Sequence, residues 1–75
     1  REGAGMGSFE DIARHVRARR QALALTQEQL ADLAGTSARF VWSIEQGKAS
    51  VRVDKLVDVL RVLGSELAVV ARSEP

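Results

Sequence analysis

The chain has no cysteine and one histidine in its 75 residues. Without thiols there is no disulfide staple and no thiolate metal site. His15 lies among arginines, with no carboxylate at ligand spacing, so neither a metal site nor a nucleophile–base pair is expected. It reads as a surface residue or as a pH-dependent phosphate contact. An excess of one charge is also lacking. Eleven Lys and Arg stand against ten Asp and Glu, for a net charge of +1. That excludes a strongly basic tail binder but leaves room for a basic face. No apolar run approaches the ~20 residues of a membrane span. No secretory signal pattern is present, so a cytoplasmic location is expected. "GAGMG" follows no strand and makes no phosphate loop. No catalytic constellation emerges; the reading is a non-enzyme with no cofactor and no metal.

What is present is segregated. Arg14, Arg17, Arg19 and Arg20 crowd into "RHVRARR", whereas Glu10, Asp11, Glu28, Asp32, Asp54 and Asp58 lie elsewhere. A chain this short forms one domain and hides only about 60% of its unfolded surface. The usual remaining support is a partner subunit. Residues 1–7 are Gly-rich and read as a flexible leader, with Met6 a candidate initiator.

Residues 8–64 carry four helical segments. Ser8 with Asp11 makes an N-terminal capping pattern, and Phe9, Ile12, Ala13 and Val16 follow at helical spacing to about Arg20. Leu23 and Leu25 fall in a connection. Thr26 with Gln29 makes a second capping box, with Leu30, Ala31, Leu33 and Ala34 as its apolar stripe, closed by Gly35 in a left-handed conformation. Ser37 caps a third helix with Phe40, Val41 and Ile44 inward, stopped by Gly47. Ser50 or Asp54 starts a fourth, its inner face Val53, Leu56, Val57, Leu60 and Leu63, closed by Gly64.

Residues 65–75 read differently. "ELAVVAR" is a β-branched apolar run and predicts a strand. A lone strand leaves its backbone groups unpaired. One way out is a second copy pairing antiparallel across a two-fold axis through Leu67, Ala68, Val69 and Val70. The other is a frayed tail or a last helical turn.

Two short helices joined by a Gly-containing turn form a helix-turn-helix pattern. Leu30 faces inward, Ala31 sits where the helices cross, and Val41 and Ile44 anchor the second helix. The stretch "LTQEQLADLAGTSARFVWSIEQGK" resembles the Xre/Cro-type, lambda repressor-like helix-turn-helix family. Its L-T-Q-x-x-L-A, G-T-S and I-E-x-G-K segments carry the resemblance, which spans nearly all of residues 8–64. The family implies an all-α bundle of four or five helices that binds DNA as a dimer. "ASVRVDKLVDVLRVLGSEL" is similar to the fourth helix of HipB-like antitoxins. Those end in a strand paired across the dimer, repress their own operon and bind a toxin kinase.

With Phe40, Val41 and Ile44 inward, the third helix turns Ser37, Ala38, Arg39, Trp42, Ser43 and Gln46 outward. Arg39 either reads guanine through its fork or holds a phosphate. Ala38 offers a methyl to thymine, and Ser43 bonds to a base or a phosphate. Trp42 either packs on sugars and thymine methyls or lies against Arg39 or the fourth helix. Gln27 and Ser37, at helix starts, are candidate phosphate contacts. Lys48, Arg17 and Arg19 are either backbone contacts or solvated charges. The family also implies an ion pair between Arg20 and Glu45, structural rather than catalytic.

Two functions follow. One is a dimeric bacterial repressor on a pseudo-palindromic DNA operator, probed by half-sites about 34 Å apart. The other is a protein-interaction module that mainly holds a toxin.

Overall fold

The computed structural model describes residues 8–48, 50–69 and 71. Among them are four helices: α1 (Phe9–Ala22), α2 (Gln27–Ala34), α3 (Ala38–Glu45) and α4 (Val53–Val62). The class is all-α.

The helix starts follow the local chemistry. The Ser8 side chain accepts from the Asp11 amide at 3.3 Å. At α2 the capping box is reciprocal: the Gln29 amide donates to Thr26 Oγ1 at 3.0 Å, and the Thr26 amide donates to Gln29 Oε1 at 2.8 Å. The Ser37 hydroxyl accepts from the Phe40 amide at 3.1 Å. Each cap satisfies amides that a helix start leaves without a partner.

At α4 the expected start shifts. Neither Ser50 nor Asp54 is the cap; Arg52 is, and its carbonyl accepts the Leu56 amide. A guanidinium has no lone pair to cap with. Asp54 lies in the first turn instead, where an anion suits the positive end of the helix. Its carboxyl is held below the ordinary range, chiefly by the hydrogen bond from Arg52 and also by the Lys55 amide.

The helix ends share one geometry. After α2, Thr36 N–H reaches the Ala31 carbonyl and Gly35 N–H the Asp32 carbonyl, with Gly35 at φ 73°. This is a Schellman closure. The same pair of bonds ends α1, but the left-handed residue there is Ala24, at φ 58°. A Cβ in that conformation costs roughly 1–2 kcal/mol.

The core is Val16, Leu30, Ala31, Val41, Ile44, Leu56, Val59, Leu60 and Leu63, with Phe9, Ile12, Leu25, Phe40 and Val62 packed against it. α2 packs on α3 and on α4, and α1 packs on α3. Two expected stripes need correction. On α4 the buried residues are Leu56, Val59, Leu60 and Leu63, while Val53 is exposed and Val57 half-buried. The true stripe keeps the i, i+3, i+4, i+7 spacing; phasing it from Val53 overlooks Val59. On α2, Leu30 and Ala31 are buried but Leu33 is 63% exposed. An eight-residue helix turns one narrow face inward, and Leu33 lies off it.

Of the run 66–72, expected as a strand, residues 66–69 and 71 are described. Residues 65–69 belong to no helix or strand. A strand is defined by its ladder, and among the described residues there is no second strand for these to pair with. Leu67, Ala68 and Val69 are exposed, Val69 at 99%. Val70 lies outside the described residues, as do residues 1–7 of the expected leader and 72–75 of the expected tail.

Candidate nucleic-acid interface

The turn at Gly35–Thr36–Ser37 sets α3 across α2. A Cβ built at Gly35 would meet nothing within 4 Å, so the glycine answers a backbone demand and not a shortage of space. α3 then has two distinct faces. Val41 and Ile44 are wholly buried, and Ala38 packs partly against the same core. Arg39, Trp42 and Gln46 are exposed, as is the cap Ser37, and Ser43 is half-exposed.

The chain turns sharply after α3. Gly47, at φ 78°, lets the Lys48 amide reach back to the Ser43 carbonyl at 3.3 Å. That turn brings Lys48 back over α3. Its Nζ lies 5.8 Å from the centre of the Trp42 ring, and Arg39 Cζ lies 5.5 Å from it. Among the described residues neither Arg39 nor Lys48 makes an ion pair. The outer face of α3 therefore presents two unneutralised cations beside one indole.

Behind this face sits a buried carboxylate. Glu45, at the last position of α3, has a side chain with no exposed surface. Arg20 of α1 donates to it twice, from Nε to Oε2 at 2.6 Å and from Nη2 to Oε1 at 2.9 Å. The third arm of Arg20 donates from Nη1 to the Leu25 carbonyl at 2.9 Å. The Gln27 amide donates to Oε1 at 3.1 Å, and Arg17 Nε stands 3.6 Å from the same oxygen. Burial alone would push the Glu45 carboxyl up. The hydrogen bonds from Arg20 and Gln27, with the charges of Arg20 and Arg17, outweigh that and hold it below the ordinary carboxylate range. The same hydrogen bond from Arg20 to Glu45 holds the guanidinium's own proton more firmly, against the opposing effect of burial.

A family model described as a helix-turn-helix domain matches residues 11–72. The chain belongs to the helix-turn-helix family. It is a DNA-binding regulator by that membership, and α2–turn–α3 is its family motif. The chain is also 36% identical, over 64 residues, to an uncharacterized HTH-type transcriptional regulator of Sinorhizobium fredii; the match spans 85% of this chain and 84% of that protein.

Of the residues singled out in the sequence, Ala38, expected outward, is half-buried and packs partly against the core; most of the others fall into two groups. Ser37, Arg39, Trp42, Ser43 and Lys48 gather on the outer side of the second helix and its turn. Arg17, Arg20 and Gln27 converge on the buried Glu45 carboxylate and tie α1, α2 and α3 together, with more than half of the Arg17 side chain left exposed. The Gln27 side chain, expected at a phosphate, is engaged inside the fold. Arg19 lies elsewhere: its Nε donates to the Leu63 carbonyl at 3.1 Å, a cation at the negative end of α4. His15, one turn before Arg19, places Nε2 2.7 Å from Ser65 Oγ.

Sequence reasoning did not foresee that Arg17 and Gln27 would join Arg20 on one carboxylate. Part of the signal was there, because Arg17 and Arg20 are three apart and share a helix face. The Gln27 contact and the return of Lys48 over Trp42 depend on how the helices cross. Among the described residues no group of three or more His, Asp or Glu side chains is placed to hold a metal. No helix among them is long and apolar enough to cross a membrane.

Proposed function

We propose that this protein is a sequence-specific transcriptional repressor that lays α3 in the major groove of DNA. One observation carries the reading. The second helix of a helix-turn-helix turns Arg39 and Trp42 outward, with Lys48 of the following turn beside them; neither cation makes an ion pair among the described residues, and the helix's other face supplies the core. Arg39 is the principal base reader, through its bidentate fork to guanine. Ala38 and Ser43 complete the base-facing set, while Trp42 lies against Arg39. Lys48, Ser37, the Gln27 backbone amide and the outer edge of Arg17 hold phosphates. The HTH-type transcriptional regulator it resembles supports the regulatory role.

The operator we propose is a pseudo-palindrome read by two copies, with half-sites about 34 Å apart. Pairing of residues 66–72 between copies supplies the dimer. The exposure of Leu67 and Val69 outside any helix supports this, because apolar side chains gain by being covered. The HipB-like character of residues 49–67 extends the proposal to an antitoxin that also holds a toxin.

Selection of bound sites from a random duplex pool tests the reading, with half-site spacing read from the enriched sequences. Arg39→Ala is expected to lose preference for the selected site, by about 1–3 kcal/mol at the base it reads, and to leave dimerisation unchanged. An unaltered gel shift on the selected site with this variant would refute the assignment.

A further inference from the structure

We infer that Trp42 is a positioning residue: its indole holds Arg39 and Lys48 together as one platform for two cations on the DNA-facing surface. The inference rests on the DNA-binding reading above and adds to it a role for the chain's single tryptophan.

Three observations carry it. First, both cations lie within 6 Å of one ring centre, Arg39 at 5.5 Å and Lys48 at 5.8 Å. That is the range in which a ring quadrupole attracts a cation, and tryptophan attracts most strongly. Second, neither cation has a carboxylate partner among the described residues. The ring is the group that holds them. Third, the two come from different parts of the chain. Arg39 stands one turn before Trp42 on α3, while Lys48 arrives through the Gly47 closure onto Ser43.

The arrangement has a physical use. Arginine and lysine side chains lose much rotamer freedom when they bind DNA. A surface that orders them beforehand lowers that loss. The ring also offsets the mutual repulsion of two like charges without neutralising either. An acidic partner would order them as well, but it would cancel the charge that phosphates and guanine require. In this arrangement the indole serves the two cations and not thymine methyls. Trp42 therefore acts through Arg39 and Lys48.

The test has two arms. In the free protein, the terminal methylene protons of Arg39 and Lys48 are expected to be shifted upfield by the indole ring current, and Trp42→Leu should return them to solvent-exposed values. On duplexes enriched from a random pool, Trp42→Leu is expected to bind roughly 5- to 30-fold more weakly, the lower part of the cost of ordering two long side chains on binding. Trp42→Phe should fall between the two. In a chain already carrying Arg39→Ala and Lys48→Ala, Trp42→Leu should change nothing further, which a merely structural role would not produce. Absence of the ring-current shift overturns the platform whatever the DNA result. A normal shift with no duplex enriched by the unmodified chain overturns the DNA reading itself, and the platform's role with it. A normal shift with equal binding by Trp42→Leu overturns the positioning role alone.

Discussion

Replacing Glu45 by Gln probes the joint between the three helices. The carboxylate has no exposed side-chain surface, and Arg20 facing it is 14% exposed. Glutamine keeps the volume, so the change creates no cavity. It substitutes an amide N–H₂ for one carboxylate oxygen, and that donor meets the donors of Arg20 or Gln27. The Arg20 charge is left with the Leu25 carbonyl and one weakened acceptor. Breaking a buried pair by removing one charge costs roughly 3–5 kcal/mol. Domains as small as this are stable by about 5–10 kcal/mol, so the loss is a large share. With a urea dependence of about 1 kcal/mol/M, the unfolding midpoint followed by helical circular dichroism should fall by about 3–5 M.

Removing both charges by Arg20→Met with Glu45→Leu should cost less than Glu45→Gln alone, since nothing is then stranded. Acid should act in the same direction. The folded-state carboxyl lies below its unfolded value. Its contribution is therefore present above the ordinary glutamate range and is lost as pH falls through the folded value. Arg20, raised further still, stays charged throughout. A Glu45→Gln midpoint within about 0.5 M of the unmodified chain would refute the idea that this cluster holds the helices together.

Other substitutions address the turns and the surfaces. Ala24→Gly should stabilise the chain by up to about 1 kcal/mol, because it relieves a left-handed alanine. Gly35→Ala should cost about 1–2 kcal/mol by thermal unfolding. Space is open there, so a larger cost would point to something other than the backbone. Deleting residues 66–75 should give monomers by light scattering, and a truncated chain that remained dimeric would remove strand pairing from the proposal. Binding to the selected duplex should weaken steeply with salt as phosphate counterions are released; a flat salt response would contradict the phosphate set.

Local rules carry far in this chain because its signals are short-range. Thr26 and Gln29 are three residues apart and complete each other's hydrogen bonds; no distant residue takes part. Gly35 and Gly47 mark ends that follow from a single backbone angle. The apolar spacing of α3 assigned its inner face correctly because Val41 and Ile44 leave little choice of phase. α4 offered valine or leucine at five of the positions from 53 to 60, so its phase was ambiguous until α2 packed against it. Residues 66–72 had strand character but find no ladder among the described residues, and composition cannot supply a partner.

The sequence by itself determined the number of helices, the caps of α1, α2 and α3, the glycine turns, and the side of α3 that faces outward, since each depends on residues within one or two turns of one another. Tertiary structure alone decided that Arg17 and Gln27 join Arg20 on Glu45, why Arg19 leaves for α4, and that Lys48 folds back over Trp42. Those contacts join residues from different elements, and their geometry exists only after the helices have crossed.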